Sequence, residues 1–281
     1  MANKIKRLLR LVTELCFPIK TNFWDFKCSN ELSIMTFNML GDKEEEGEKS
    51  WVYRRDPIIN MIKDKMPDII GCQEIWSSMV KYLCSKIGHN YDCYGVSTFN
   101  GRRLDKTFSM TMGNAIFYNK ERFECIEEDV FWLADVENKP NSTWGNSEPR
   151  NCVVVKLKDR NTGKIYVIYN THFDHKSQLA RFQSTELIMN KVQEHKNSII
   201  YILGDFNAKI SDNEMIGFNQ FSYYPNPLDT QTTFNGFRTY KNQVIDYIFT
   251  NDDDKYKLEV IKNGYGIEYL SDHYPVMIYK K

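Results

Sequence analysis

No Cys-x-x-Cys pair occurs anywhere in this 281-residue chain. Its seven cysteines (Cys16, Cys28, Cys72, Cys84, Cys93, Cys125 and Cys152) are odd in number and scattered, which suggests neither a zinc site nor a disulfide framework. Reduced thiols, in the cytoplasm or alternatively the nucleus, are expected. Long apolar runs are missing too, and nothing approaches the length of a membrane span. Nor is there an excess of charge: Lys+Arg and Asp+Glu balance at 37 each, with a sequence pI near 6.9. The broad basic field of proteins that grip long nucleic-acid backbones is therefore absent. A phosphate-bearing substrate would have to be held locally, by a metal or a few placed cations. The chain also has no Gly-x-Gly-x-x-Gly, no internal repeat, no low-complexity tract and no evident linker, which excludes a Rossmann unit and favours one folded domain.

What is present is a globular composition, 42% hydrophobic and 14% aromatic. Residues 1–17 place Ile5, Leu8, Leu9, Val12, Leu15 and Cys16 at helical spacing, with Lys4, Lys6, Arg7 and Arg10 mostly on the other side. Arg10 and Glu14 interrupt what would be the core of a signal peptide, and no small-x-small cleavage pattern follows, so none is expected. The helix either docks on its own domain or makes a weak membrane or partner contact. Residues 1–31 read as this helix and a connector, and 32–281 as the folded domain.

Within the domain the pattern alternates. Strands are expected at 32–37, 68–74, 113–118, 130–133, 198–203, 244–249 and 274–279, and helices at 54–65, 77–87 and 178–195. Cys152–Leu157, the turn Asp159-Arg160-Asn161-Thr162-Gly163 and Ile165–Asn170 form a β-hairpin signature. In the last helix Leu179, Phe182, Leu187, Ile188 and Val192 are the expected apolar face. Residues 135–149 read as a long loop, a form usually either disordered or functional.

The stretch Tyr201-Ile202-Leu203-Gly204-Asp205-Phe206-Asn207 is the most informative. Gly204 interrupts a buried strand, and Asp205 and Asn207 follow on alternate positions, which share a face on an extended backbone. Alone it would read as a turn. Asn38, Glu74, His172, Asp246, Asp272 and His273 also sit against strongly apolar runs, where an unpartnered carboxylate is costly. Carboxylates that converge repel one another unless a cation neutralises them, and oxygen ligands suit Mg²⁺ or Mn²⁺ better than zinc. Histidines beside acids supply proton transfer and charge stabilisation.

Thr36-Phe37-Asn38-Met39, Gln73-Glu74, Thr171-His172-Phe173-Asp174, Gly204-Asp205-Phe206-Asn207, Ile245-Asp246-Tyr247 and Ser271-Asp272-His273 occur in an order that resembles the endonuclease/exonuclease/phosphatase, or DNase I-like, superfamily. The resemblance runs from about residue 32 to the C-terminus. Gly113–Tyr118 is similar to a stretch of the nocturnin and carbon-catabolite-repression deadenylases. Trp51…Arg54-Arg55, Pro149-Arg150 and Thr233-Phe234-Asn235-Gly236 look more like small bacterial-type members.

The resemblance implies an α/β (α+β) fold, a four-layer sandwich of two mixed β-sheets flanked by helices, and a Mg²⁺-dependent (or Mn²⁺-dependent) phosphoester hydrolase. It implies Glu74 as main metal ligand with Asn38 and Asp272 in support. Asp205 would orient or deprotonate water and Asn207 would hold the scissile phosphate. His273, oriented by Asp246, would stabilise developing charge, and His172 would contact the phosphate or assist the leaving group. Asn38, Arg150, Arg102 and Arg103 are candidate substrate contacts, and Trp144 and Phe237 could stack a base or sugar.

Three readings follow. The leading one is a monomeric phosphodiesterase or nuclease acting on RNA or nucleotides, with 3′-to-5′ exonuclease action among its forms. The second is a phosphatase or phosphodiesterase of a small phosphorylated sugar or lipid headgroup. The third is a non-catalytic adaptor with the same fold.

Overall fold

A computed structural model describes residues 31–42, 47–226, 231–238 and 243–280. The helix expected over 1–17 lies outside these residues. Two six-stranded sheets stack face to face. In the first, the order is β11 (Tyr256–Val260), β12 (Val276–Lys280), β1 (Ser33–Asn38), β2 (Ile69–Trp76), β4 (Met112–Asn119) and β3 (Tyr91–Ser97). In the second it is β5 (Phe123–Trp132), β6 (Asn151–Asp159), β7 (Ile165–His172), β8 (Ile199–Asp205), β10 (Asp246–Thr250) and β9 (Ser222–Tyr224). Each sheet is mixed: β1–β2 and β7–β8 pair in parallel and the remaining neighbours antiparallel. Helices α1 (Trp51–Lys65) and α2 (Ser77–Ile87) cover the first sheet, and α3 (Gln178–Gln193) covers the second.

The continuous apolar runs noted above are explained by this layering. A strand buried on both faces has no reason to alternate with polar residues. In β8, Tyr201 and Leu203 point into the inter-sheet core, while Ile200 and Ile202 meet α3. In β1, Ile34 faces inward and Met35 and Phe37 face α1 and α2. Among the described residues no helix is long and apolar enough to cross a membrane.

Two local expectations are corrected. Gly204 does not break its strand, which runs on through Asp205. A Cβ at Gly204 would stand 2.4 Å from the Thr171 carbonyl oxygen, so the glycine is there to let β7 and β8 approach. In α3, Leu179 and Phe182 are exposed, and the buried face is Ala180, Ser184, Thr185, Ile188, Met189 and Val192. Ser184 satisfies its hydroxyl on the Ala180 carbonyl at 2.6 Å. A close contact with the 3-10 segment Asn213–Gln220 favours small side chains there, which hides the true apolar face from a hydrophobicity count.

One buried amide stitches the two sheets near the site. Asn170 on β7 donates to the carbonyls of Cys72 (2.9 Å) and Ala115 (3.0 Å) and accepts from Gln73 Nε2 at 2.6 Å. These bonds cross the apolar layer and fix how the strand ends of one sheet meet those of the other.

Candidate active site

The motif residues converge where the ends of both sheets meet. Asn38 ends β1, His172 ends β7, Asp205 ends β8 and Asp246 begins β10. Ladder register sets three of them side by side: His172 is opposite Asp205 in the parallel β7–β8 pair, and Asp246 is opposite Asp205 in the antiparallel β8–β10 pair. Glu74 arrives differently. The β2–β4 register slips between Cys72 and Ile75, and Glu74 takes a left-handed φ of 49° in that bulge. Bulges re-aim side chains, here into the site, at the cost of a conformation rare outside glycine.

The floor is a row of buried ionisable groups. His273 Nδ1 faces Asp246 Oδ2 at 2.9 Å, and its Nε2 faces Asp205 Oδ2 at 3.6 Å. Burial works against a charged imidazole, but Asp246 and Asp205 outweigh it and push the pKa of His273 up to about 10. Burial pushes Asp205 up to about 7, an effect that the charge of His273 partly offsets. Asn207, at φ 47°, donates its backbone N–H to Asp205 Oδ1 at 3.0 Å. Asp205 and Asn207 thus converge through a tight turn and not by strand alternation. Asn207 Nδ2 lies 3.0 Å from His172 Nε2, and Arg150 Nη1 donates to His172 Nδ1 at 3.2 Å.

Above this floor opens a pocket of about 740 Å³ whose lining includes Glu74, Asp205, Asn207, His172, Asp272 and His273. Arg150 and His175 belong to its lining, and Trp76, Phe99, Met110 and Met112 supply its apolar wall. The residues fit a hard cation: Glu74 and Asp272 bring carboxylate oxygens to the pocket, with Asp205 beneath them. Distances alone also allow an ion between Asp205, Asp246 and His273. Both nitrogens of His273 already face carboxylates there, so a charge-paired row describes that cluster better.

Some expected site residues do not line the pocket. Asn38 is buried beneath it, its Nδ2 donating to Asp205 Oδ2 (2.9 Å) and Glu74 Oε1 (3.3 Å) and its Oδ1 accepting from the Leu40 N–H at 3.0 Å. In this position its side chain braces the two carboxylates from below. Arg103 is spent on Asp105, Glu128 and the Cys93 carbonyl. Arg102 faces a neighbouring surface depression. Trp144 packs on the outer core of the second sheet with Nε1 donating to Asp135, and Phe237 sits in a separate surface pocket under Lys49. Short polar-loop sequences carry no record of which way their side chains turn.

Other residues emerge only from the structure. Asp174 accepts from Ser147 N–H (2.9 Å), Ser147 Oγ (2.8 Å), Lys176 N–H (2.9 Å) and Ser177 N–H (2.8 Å). Burial raises its pKa, yet these bonds win and hold the carboxyl below its ordinary range. It thereby orders the 135–149 loop beside Arg150, whose Nη2 donates to His175 Nδ1 at 3.4 Å. Arg54, fully buried, donates to the carbonyls of Lys49 (2.9 Å), Met39 (2.9 Å), Leu270 (2.8 Å) and Gly41 (3.0 Å). It ties the segment after Asn38 to the segment before Asp272. Arg54→Lys is expected to destabilise the protein by about 2–4 kcal/mol in urea unfolding, because one ammonium cannot serve four buried carbonyls.

Two stacked mixed sheets with this acid–histidine floor define the DNase I-like class of phosphoester-processing folds. The chain belongs to the endonuclease/exonuclease/phosphatase family, whose model matches residues 35–273. It is 26% identical over 258 residues to uncharacterized protein L388 of Acanthamoeba polyphaga mimivirus, covering 81% of this chain and 91% of that one. The Bacteroides thetaiotaomicron mannosyl-6-phosphatase Bt3783 superposes with a TM-score of 0.76 at 26% identity, over 88% of this chain and 98% of the other. The 3′-5′-exoribonuclease subunit Ccr4 of the Emericella nidulans CCR4-Not complex is 23% identical over 189 residues, 59% of this chain. That match spans only 28% of Ccr4.

Proposed function

We propose that this chain is a metal-assisted phosphoester hydrolase acting on RNA or nucleotides, with 3′-to-5′ exonuclease action among its forms. The observation that carries the reading is the buried Asp246–His273–Asp205 row beneath a pocket rimmed by Glu74 and Asp272. An adaptor has no use for so many buried charges held in one place.

Glu74 and Asp272 would hold Mg²⁺ or Mn²⁺, with Asn38 bracing Glu74 from below. When bound, the ion supplies Lewis-acid polarisation of a phosphoryl oxygen. Asp205, with its pKa near neutrality, orients the attacking water and accepts its proton. Asn207 and His172 hold phosphoryl oxygens, and the imidazolium of His273 stabilises the charge that builds on them. Asp246 keeps that imidazolium oriented and charged.

A second reading, a phosphatase of a small phosphorylated sugar or lipid headgroup, is favoured by the likeness to the mannosyl-6-phosphatase over nearly that protein's whole length. A Mg²⁺-supplemented panel of single-stranded RNA, abasic DNA, phosphosugars, inositol phosphates and sphingomyelin separates the two. EDTA is expected to abolish turnover, and Glu74→Gln to raise the Mg²⁺ needed for half-maximal rate by about tenfold or more. Turnover that is indifferent to both changes would sink the metal-assisted assignment.

A further inference from the structure

The excursion between β3 and β4 leaves the apolar wall of the pocket and carries a second feature outward. Phe99, Met110 and Met112 belong to the pocket. A few residues on, the same excursion shapes an adjoining depression lined by Arg102, Arg103, Lys106, Thr107, Phe108 and Ser109. Phe108 is 90% exposed and Phe99 44% exposed, an unusual display for large aromatic side chains.

The display is built and held in place. Leu104 is fully buried and anchors the centre of the excursion. Ser97 Oγ and Thr111 Oγ1 join its two ends at 2.6 Å. Ser77 Oγ donates to the Ser109 carbonyl at 2.8 Å, and the Ser109 N–H donates to Thr107 Oγ1 at 3.1 Å. Lys81 Nζ donates to the Thr107 carbonyl at 2.7 Å and lies 4.5 Å from the centre of the Phe108 ring. Asp105 pairs with Arg103, and Arg102 and Lys106 bring their cations to the lining of the depression.

Resting on the hydrolase reading above, we propose that this excursion is the binding platform for single-stranded RNA leaving the catalytic pocket. Bases stack on Phe99 and Phe108, and Arg102 and Lys106 meet the backbone phosphates. The platform adjoins the pocket, so its occupant must be continuous with a scissile phosphate. Two exposed aromatic side chains with cations between them suit a flexible strand with exposed bases better than a duplex. The chain as a whole is neutral, and local cations beside the pocket are how such a protein can hold a polyanion.

The test uses the full chain. In a His273→Ala background, which prevents cleavage, binding of a fluorescein-labelled single-stranded RNA of about ten nucleotides is followed by anisotropy across a salt series. Phe108→Ala and Phe108→Leu are both expected to weaken binding by about fivefold or more, because leucine restores apolar area but not a stacking face. Arg102→Ala with Lys106→Ala is expected to reduce the slope of log K against log salt by about 1.4. With His273 intact, the same loop variants should raise KM for the oligonucleotide and leave KM for p-nitrophenyl phosphate unchanged.

Binding that ignores all these substitutions, or loop-dependent binding to phosphatidylserine vesicles in place of RNA, would overturn the platform. Loop-dependent RNA binding without any hydrolysis would keep the platform and defeat the hydrolase reading, so the two failures are distinguishable.

Discussion

His273→Ala is expected to lower kcat by roughly 10³-fold or more while leaving KM for a small phosphoester nearly unchanged. The reason lies in where the imidazole sits. It is buried, and the carboxylates of Asp246 and Asp205 hold it as a cation whose charge fades only as pH approaches about 10. A preformed cation under the phosphate is worth most when charge develops there, and it needs no reorganisation at that moment. Asp246→Asn should reproduce much of the loss, because it removes the largest influence holding the imidazole charged. The alkaline limb of its pH profile should then move to lower pH.

A folding measurement separates this effect from simple instability. His273 has a raised folded-state pKa, so its stabilisation is fully present below the ordinary histidine value and is lost as pH rises toward about 10. Urea unfolding should therefore show His273→Ala losing more stability at pH 5, where the imidazolium's contribution is complete, than at pH 8, where part of it has already gone. A variant that is folded at pH 6, where circular dichroism can confirm it, and is still inactive there locates the defect in catalysis. Near-wild-type kcat in that folded variant would refute the role.

Asp205→Asn should cost roughly 10²- to 10⁴-fold in kcat, the range of a general base removed without loss of shape. Asparagine keeps the acceptor for the Asn207 N–H but cannot take a proton. Because burial holds Asp205 near 7, wild-type kcat/KM should climb through about pH 7 and level off above it. Asp205→Asn should flatten that limb. A profile that is level from pH 5.5 to 8.5 in the wild type would exclude Asp205 as the group that titrates. Metal binding next to Asp205 would pull the limb toward lower pH, so a series with Mg²⁺ and Mn²⁺ tests whether the ion and the carboxylate share one electrostatic site.

The sandwich was legible in the chain because of its layering. Sheets covered on both faces demand unbroken apolar runs, and those runs mark β1, β2, β7, β8 and β10 directly. The short strands β9 and β11 escaped notice, since a three-residue edge strand and the half-exposed Tyr256–Val260 carry little apolar signal. The floor of the site was legible for a related reason. His172, Asp205, Asp246 and His273 stand out as ionisable residues against apolar neighbours, and the cost of burying them advertises a partner.

What the sequence by itself determined is therefore a set of residue types at strand ends and the family to which their order belongs. Tertiary structure alone decided how those residues meet. The β-bulge that turns Glu74 inward, the Asn207 turn, the Arg54 clamp on four carbonyls and the Asn170 stitch between sheets all depend on contacts between segments far apart in the chain. The same holds for Arg103, whose charge is consumed by Asp105 and Glu128, and for Asn38, whose amide is taken up beneath the pocket. A side chain's direction and its partners are set by packing across the two sheets, and local residue order does not encode them.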